Sequence, residues 1–204
     1  MEGSAAQAGF YYQNNVAALK IIECLFFDSD ITHIELENYD KMHLFSVDLS
    51  RHKSNTVIDE GIVYQCGHEA KLLNLKKDWK IGLGICFDLR FPELYRHYFS
   101  QGANIMTVAS AFTVPTGKAH WETLVKARAI ENQSYVAGVN RSGKDGNDIA
   151  YSGDSALIDF MGKKVLEAGA QPKLLAYSLE WEPMRAYREK FPAWQDGDEY
   201  EMFA

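Results

Sequence analysis

The sequence predicts an α/β fold, a sheet covered by helices, and three observations carry that prediction. From about residue 80 onward, strand-like and helix-like runs alternate as strand, helix, strand, helix, strand. That order is the signature of helices packed on a sheet. The strand candidates are short apolar runs, whereas the intervening segments place apolar residues at helical spacing. Glycine and proline punctuate the boundaries where a helix must stop.

The elements follow in order. Lys80-Ile81-Gly82-Leu83-Gly84-Ile85-Cys86 is a β-type run that ends at a cysteine. A helix is predicted through Leu94, Tyr95 and Tyr98, stopped by Gly102, since glycine favours the left-handed end of a helix. Ala103 to Ala109 is the next strand. Trp121, Leu124, Val125 and Ala129 recur at helical spacing, and Glu122 with Lys126 forms an i,i+4 pair on another face. Ser134 to Val139 is a third strand. Beyond a polar loop, Ser142 to Asn147, strand-like stretches lie around 154–160, 163–167 and 173–180. Met161-Gly162-Lys163 is the turn between the first two. A final helix, Met184 to Lys190, ends before Phe191-Pro192, because the residue ahead of a proline disfavours helix. Val16 to Phe27 is apolar enough for a strand or a buried helix, and its periodicity does not choose.

Composition narrows the functional classes. With 204 residues the chain fits one domain with a core of its own. It is 47% hydrophobic and 24% charged, the balance of a globular protein. A net charge of −7 argues against a nucleic-acid partner, which demands a basic face. No apolar run approaches the ~18 residues of a membrane helix. The start, Met1-Glu2-Gly3-Ser4, lacks the basic and apolar regions of a signal peptide. Cys24, Cys66 and Cys86 make no disulfide framework, which points to reduced thiols in the cytoplasm. Cys66-x-His68 offers two ligands where a structural zinc needs four. Gly82-Leu83-Gly84 lacks the third glycine of a dinucleotide fingerprint. Neither metal nor cofactor is therefore expected.

Cys86 is the residue where chemistry is best placed. It sits at the predicted C-terminal end of a strand and just ahead of a helix, the place where open α/β sheets bind ligands. Free N–H groups of a helix start stabilise a thiolate or an oxyanion. The alternative on position alone is a small buried hydrophobe, the common state of a free cysteine.

The surrounding motifs decide between these. Gly82-Leu83-Gly84-Ile85-Cys86-Phe87-Asp88-Leu89-Arg90-Phe91-Pro92-Glu93 is preceded by Tyr39-Asp40-Lys41-Met42-His43-Leu44-Phe45. Downstream come Ser110-Ala111-Phe112, Thr116-Gly117, Ala119-His120-Trp121-Glu122 and Ala127-Arg128-Ala129-Ile130-Glu131-Asn132-Gln133. Asn140-Arg141, Tyr151-Ser152-Gly153-Asp154-Ser155 and Arg188-Glu189-Lys190-Phe191-Pro192-Ala193-Trp194-Gln195-Asp196 close the series. Together, and in this order, they resemble the nitrilase superfamily of carbon–nitrogen hydrolases, in its omega-amidase-like branch. The resemblance runs over about 25–204 of a single domain, 1–204, and leaves 1–24 atypical.

That resemblance implies an α-β-β-α sandwich, four layers when two copies pair, and a defined chemistry. Cys86 would attack a primary amide, release ammonia and leave a thioester for water to hydrolyse. Lys41 would supply positive charge where the carbonyl oxygen becomes anionic, with the backbone N–H of Phe87 as its companion. Glu60, in Asp59-Glu60-Gly61, takes the role of the supporting glutamate, with Glu69 as the alternative. Arg90 and Arg141 are the candidate cations for an anionic substrate, for which the dicarboxylate mono-amide 2-oxoglutaramate is the leading choice and deaminated glutathione a neighbour.

The superfamily's general base is a further glutamate, well upstream of the lysine. More residues separate the two than the forty that precede Lys41 here, so Glu2 stands too close to it, and Glu23, Glu35 and Glu37 lie in the wrong context. The N-terminal strand–helix units that carry it are accordingly expected to be absent or replaced, leaving the sandwich incomplete at the N-terminus. General-base catalysis is worth about 10²–10⁴-fold, so a catalytically silent homologue acting through association is the competing expectation. Pairing through the helices after the nucleophile and an aromatic-rich tail (Trp181, Met184, Tyr187, Phe191, Trp194) would make a homodimer.

Overall fold

A computed structural model describes residues 40–48, 57–62, 64–75, 78–171 and 173–197. Val16 to Phe27 and the glutamates at 2, 23, 35 and 37 lie outside the described residues. At the centre is a six-stranded sheet in the order β10-β9-β6-β5-β4-β3. Its strands are β3 (Leu72–Asn74), β4 (Lys80–Ile85), β5 (Ile105–Ser110), β6 (Tyr135–Asn140), β9 (Ala156–Ile158) and β10 (Lys164–Glu167). The middle three run parallel, and β3, β9 and β10 are antiparallel to their neighbours. Two small ribbons flank it: β1 (Ser46–Asp48) with β2 (Val57–Asp59), and β7 (Ser142–Lys144) with β8 (Ala150–Ser152). The helices are α1 (Pro92–Ser100), α2 (Glu122–Glu131) and α3 (Trp181–Lys190).

The parallel strands are buried on both faces, which is why they read as continuous apolar runs. Their alternation sorts two cores. On one face Met106, Val108 and Val136 meet Leu94, Tyr95 and Tyr98 of α1 and Val125 and Ala129 of α2. On the other, Ile81, Leu83, Ile85 and Ile105 pack with Trp79 and Leu179, while Tyr135, Ala137, Leu157 and Phe160 receive Trp181, Met184 and Tyr187 from α3. Each of these large side chains contributes about 1.5–3 kcal/mol by leaving water.

The glycines of Gly82-Leu83-Gly84 have a packing cause. A Cβ on Gly82 would stand 2.6 Å from Tyr98 Cγ, and one on Gly84 2.5 Å from Tyr95 Oη. The two tyrosines of α1 thus lie directly on the backbone of β4, and the turn that follows is held at a fixed height above α1.

Helix ends follow their sequence signals. Pro92 opens α1 at a position where its missing N–H costs nothing. At the other end Gly102 has φ +87° and donates to Phe99 O at 2.8 Å, while Ala103 N–H donates to Tyr98 O at 2.9 Å. These are the two bonds of a Schellman stop. The end of α2 repeats the pattern with a side chain in place of glycine. Gln133 has φ +45°, its N–H donates to Ile130 O, and Ser134 N–H donates to Ala129 O.

Three expectations change. The polar stretch Ser142 to Asn147 contains a strand, β7, which pairs with β8 through a turn capped by Asp145. Its Oδ1 accepts from the N–H groups of Asn147 and Ile149 at 2.8 and 3.0 Å, so local side-chain bonding sets the hairpin where no apolar pattern marks it. The stretch 173–180 holds no strand: Leu179 packs into the second core, and Tyr135 OH exchanges hydrogen bonds with the backbone of Glu180. The last helix begins earlier than Met184, at Trp181.

Candidate active site

The C-terminal ends of β4, β5 and β6 converge on Cys86, Ser110-Ala111-Phe112 and Asn140-Arg141. Cys86 ends the extended run and opens a 3-10 turn, Cys86–Arg90. Its φ is +48°, a left-handed conformation that an L-residue adopts at a cost. Strain of this kind turns the chain sharply and persists only where its surroundings enforce it.

The enforcement comes from Asp88. This fully buried carboxylate accepts from Ile85 N–H at 3.0 Å, and from the N–H and Nδ1 of His43 at 2.8 and 3.1 Å. His43 in turn stacks flat on Phe91, with ring centroids 3.6 Å apart. One carboxylate therefore ties the Cys86 turn to the segment carrying Lys41. An Asp88→Asn variant keeps the shape but puts an NH2 where an N–H must be received. The expected loss is about 1–3 kcal/mol, a fall in Tm of several degrees for a chain of this size. Calorimetry checks it, and an unchanged Tm would detach Asp88 from the turn's stability.

Lys41 is buried and pairs with Glu60. The Glu60 carboxylate also accepts from Phe45 N–H at 2.7 Å, which fixes its direction. Glu69, the alternative, is exposed and bonds Lys71 at 2.8 Å, so Lys41 is met by Glu60 and not by Glu69.

The Cys86 thiol lies within the field of this pair. Burial pushes it above the ordinary thiol value; the Lys41 ammonium and a hydrogen bond from the Ala111 backbone pull it down, and the charges of Glu60 and Asp88 push it up. The balance favours the neutral thiol, so a proton acceptor is needed to create the nucleophile. Phe87 follows Cys86 in the first turn of the 3-10 segment, where N–H groups have no intrahelical partner.

Aromatic rings and cations gather around the turn that follows Cys86. The Arg90 guanidinium lies over the rings of Phe87 and Phe112, at 5.8 and 5.3 Å, and its NH2 bonds His120 Nδ1 at 3.3 Å. Among the described residues no carboxylate pairs with it. Arg141 lies over the ring of Tyr151 at 4.7 Å, in the field of Asp145. Tyr151 donates to Asp145 Oδ2 at 2.8 Å, and burial with that bond pushes its phenol up to about 12. Arg141 is thus balanced by the adjoining hairpin, whereas Arg90 has no acidic partner among the described residues.

The structure brings together Cys86, Lys41, Glu60, Phe87 and Arg90, and sets Arg141 on the neighbouring ribbon. Reasoning from sequence assigned no role to Asp88, Tyr151 or Phe112, although each falls inside a quoted motif. Among the described residues no three of His, Cys, Asp and Glu gather as metal ligands, and no helix is long and apolar enough to cross a membrane.

Comparison with known proteins adds findings of three kinds. A family model for carbon-nitrogen hydrolases matches residues 4–189. Omega-amidase YafV of Escherichia coli K12 is 39% identical over 166 residues, 81% of this chain and 59% of the relative. Deaminated glutathione amidase of Synechocystis is 35% identical over 161 residues, 79% of this chain and 58% of the relative. The chain thus spans somewhat under three-fifths of their length. Among solved structures, a CN-hydrolase superfamily protein of Xanthomonas campestris superposes with a TM-score of 0.68 at 34% identity, covering 82% of this chain and 61% of that one. Nit3 of Saccharomyces cerevisiae, described as a branch 10 nitrilase, gives 0.65 at 30%, covering 77% and 53%.

Proposed function

The chain belongs to the carbon–nitrogen hydrolase family, and from that premise we propose that it hydrolyses the ω-amide of a small dicarboxylate through a Cys86 thioester. The nucleophile is Cys86. Lys41, aimed by Glu60, stabilises the developing oxyanion together with the Phe87 N–H. Attack of the thiolate on the amide carbonyl forms a C–S bond, the tetrahedral oxyanion collapses, and the amide nitrogen leaves as ammonia after gaining a proton. Water then cleaves the thioester to the carboxylate and frees the thiol.

The observation that carries the substrate class is the setting of Arg90. A half-buried guanidinium over two aromatic rings, four residues after the thiol and without an acidic partner among the described residues, suits a substrate carboxylate. Relatives described as an omega-amidase and a deaminated glutathione amidase support both halves of this reading, amide and anion. Arg141, engaged by Tyr151, is the secondary cation of the same mouth.

The test is ammonia release from 2-oxoglutaramate, from its uncharged methyl ester and from deaminated glutathione. The expected result is a kcat/KM for 2-oxoglutaramate about tenfold or more above that of the ester, the worth of a charge-assisted bond. Equal values would remove the anion site. Faster turnover of deaminated glutathione would move the assignment to that amide. No ammonia from a folded chain would favour a homologue that keeps the scaffold without turnover. The reading includes a cytoplasmic homodimer, supported by the free thiols at 66 and 86 and by the exposed Phe191 and Trp194.

A further inference from the structure

Arg90 carries more information than its charge. Its guanidinium lies over the rings of Phe87 and Phe112, and ring contacts leave it free to rotate in its own plane. The single described hydrogen bond that sets that rotation runs from its NH2 to Nδ1 of His120, 30 residues away. His120 projects from Gly117–Trp121, a π-helical widening between the short turn Val114–Thr116 and α2. Widened turns of this kind cost stability and concentrate at functional sites.

The widening is anchored on both flanks. Gly117 lies against Ser152 so closely that a Cβ there would stand 2.0 Å from the Ser152 hydroxyl. Trp121 is buried and donates its indole N–H to Asp154 O at 2.7 Å. The His120 ring is therefore held against Arg90 by a backbone with little freedom, although the ring itself is exposed.

Resting on the substrate reading above, we propose that His120 is a specificity-determining positioning residue. Its unprotonated Nδ1 accepts from one edge of Arg90 and leaves the other edge aimed at the carboxylate of the substrate. A guanidinium recognises a carboxylate best through two parallel N–H bonds, a geometry that fails when the plane is turned. His120 thus acts on charge recognition and touches neither the amide nor the thiol. The ligand class this favours is an amide with a single terminal carboxylate met in a bidentate way.

The experiment reads Cys86 directly and does not depend on turnover. The full chain is treated with N-iodoacetyl-β-alanine or with its methyl ester, two alkylating agents that differ in one negative charge. In each, the thiolate displaces iodide and forms a thioether. Labelling of Cys86 is followed by peptide mass spectrometry, apart from Cys24 and Cys66. Wild type is expected to favour the carboxylate probe. In His120→Phe, which keeps the ring and loses the acceptor, the ratio of the two rates should fall about three- to tenfold, the worth of one positioning hydrogen bond. His120→Asn, whose amide oxygen reaches the same place as Nδ1, should restore most of the ratio. A merely structural histidine would change both probes alike and leave the ratio alone. Preference in wild type that persists in His120→Phe overturns the role of His120 and spares the anion site. No preference in wild type, or no labelling of Cys86, overturns the substrate reading itself.

Discussion

Replacing Cys86 with alanine is expected to abolish ammonia release, a fall on the order of 10³-fold or more in kcat/KM. The nearest competing hydroxyl at the strand ends is a poor nucleophile. Ser110 stands at the end of β5, but its hydroxyl is buried and among the described residues has no hydrogen-bond partner, hence no base there to activate it. The substitution removes one sulfur at a half-buried position, so the fold should survive. Circular dichroism of the variant separates lost chemistry from lost structure. Residual activity within tenfold of wild type would take the nucleophile away from Cys86.

The second large effect is expected at Lys41. Lys41→Met keeps the aliphatic stem and removes the ammonium, which acts twice. In the proposed mechanism it stabilises the oxyanion, a contribution typically worth about 10²–10³-fold, and its charge holds the thiol below the value that burial alone would impose. Glu60 would also lose the cation that balances it, and one member of a largely buried pair is costly to leave alone. Turnover should fall by about 10²–10³-fold, with Cys86 alkylation slower at neutral pH and a lower Tm. Unaltered alkylation with lost turnover would restrict Lys41 to the oxyanion. Wild-type turnover would exclude it from both.

The alternation β4–α1–β5–α2–β6 was legible because local and tertiary signals agree there. Buried parallel strands must be apolar throughout, and Pro92 and Gly102 mark α1 by backbone geometry alone. The hairpin β7–β8 was not legible. Its register rests on Asp145 capping and on Ser152 N–H donating to Phe112 O at 3.0 Å, contacts that no apolar period announces. The stretch 173–180 misleads for the opposite reason, since its apolar residues serve side-chain packing and not a ladder. At the site, the pairing of Lys41 with Glu60 beside Cys86 agrees with the grouping that the motifs around them imply. The work of Asp88 and His120 lies in contacts 45 and 30 residues long, and sequence spacing is silent about these.

The left-handed φ at Cys86 has a consequence for how this chain can vary. Glycine would occupy that conformation without strain, relieving about 1–2 kcal/mol of backbone energy, whereas any other residue keeps the cost. Selection for stability alone would push the position toward glycine, the one exchange that leaves the turn relaxed and the proposed thiol gone. A cysteine there marks a place where durability and reactivity are opposed within one residue.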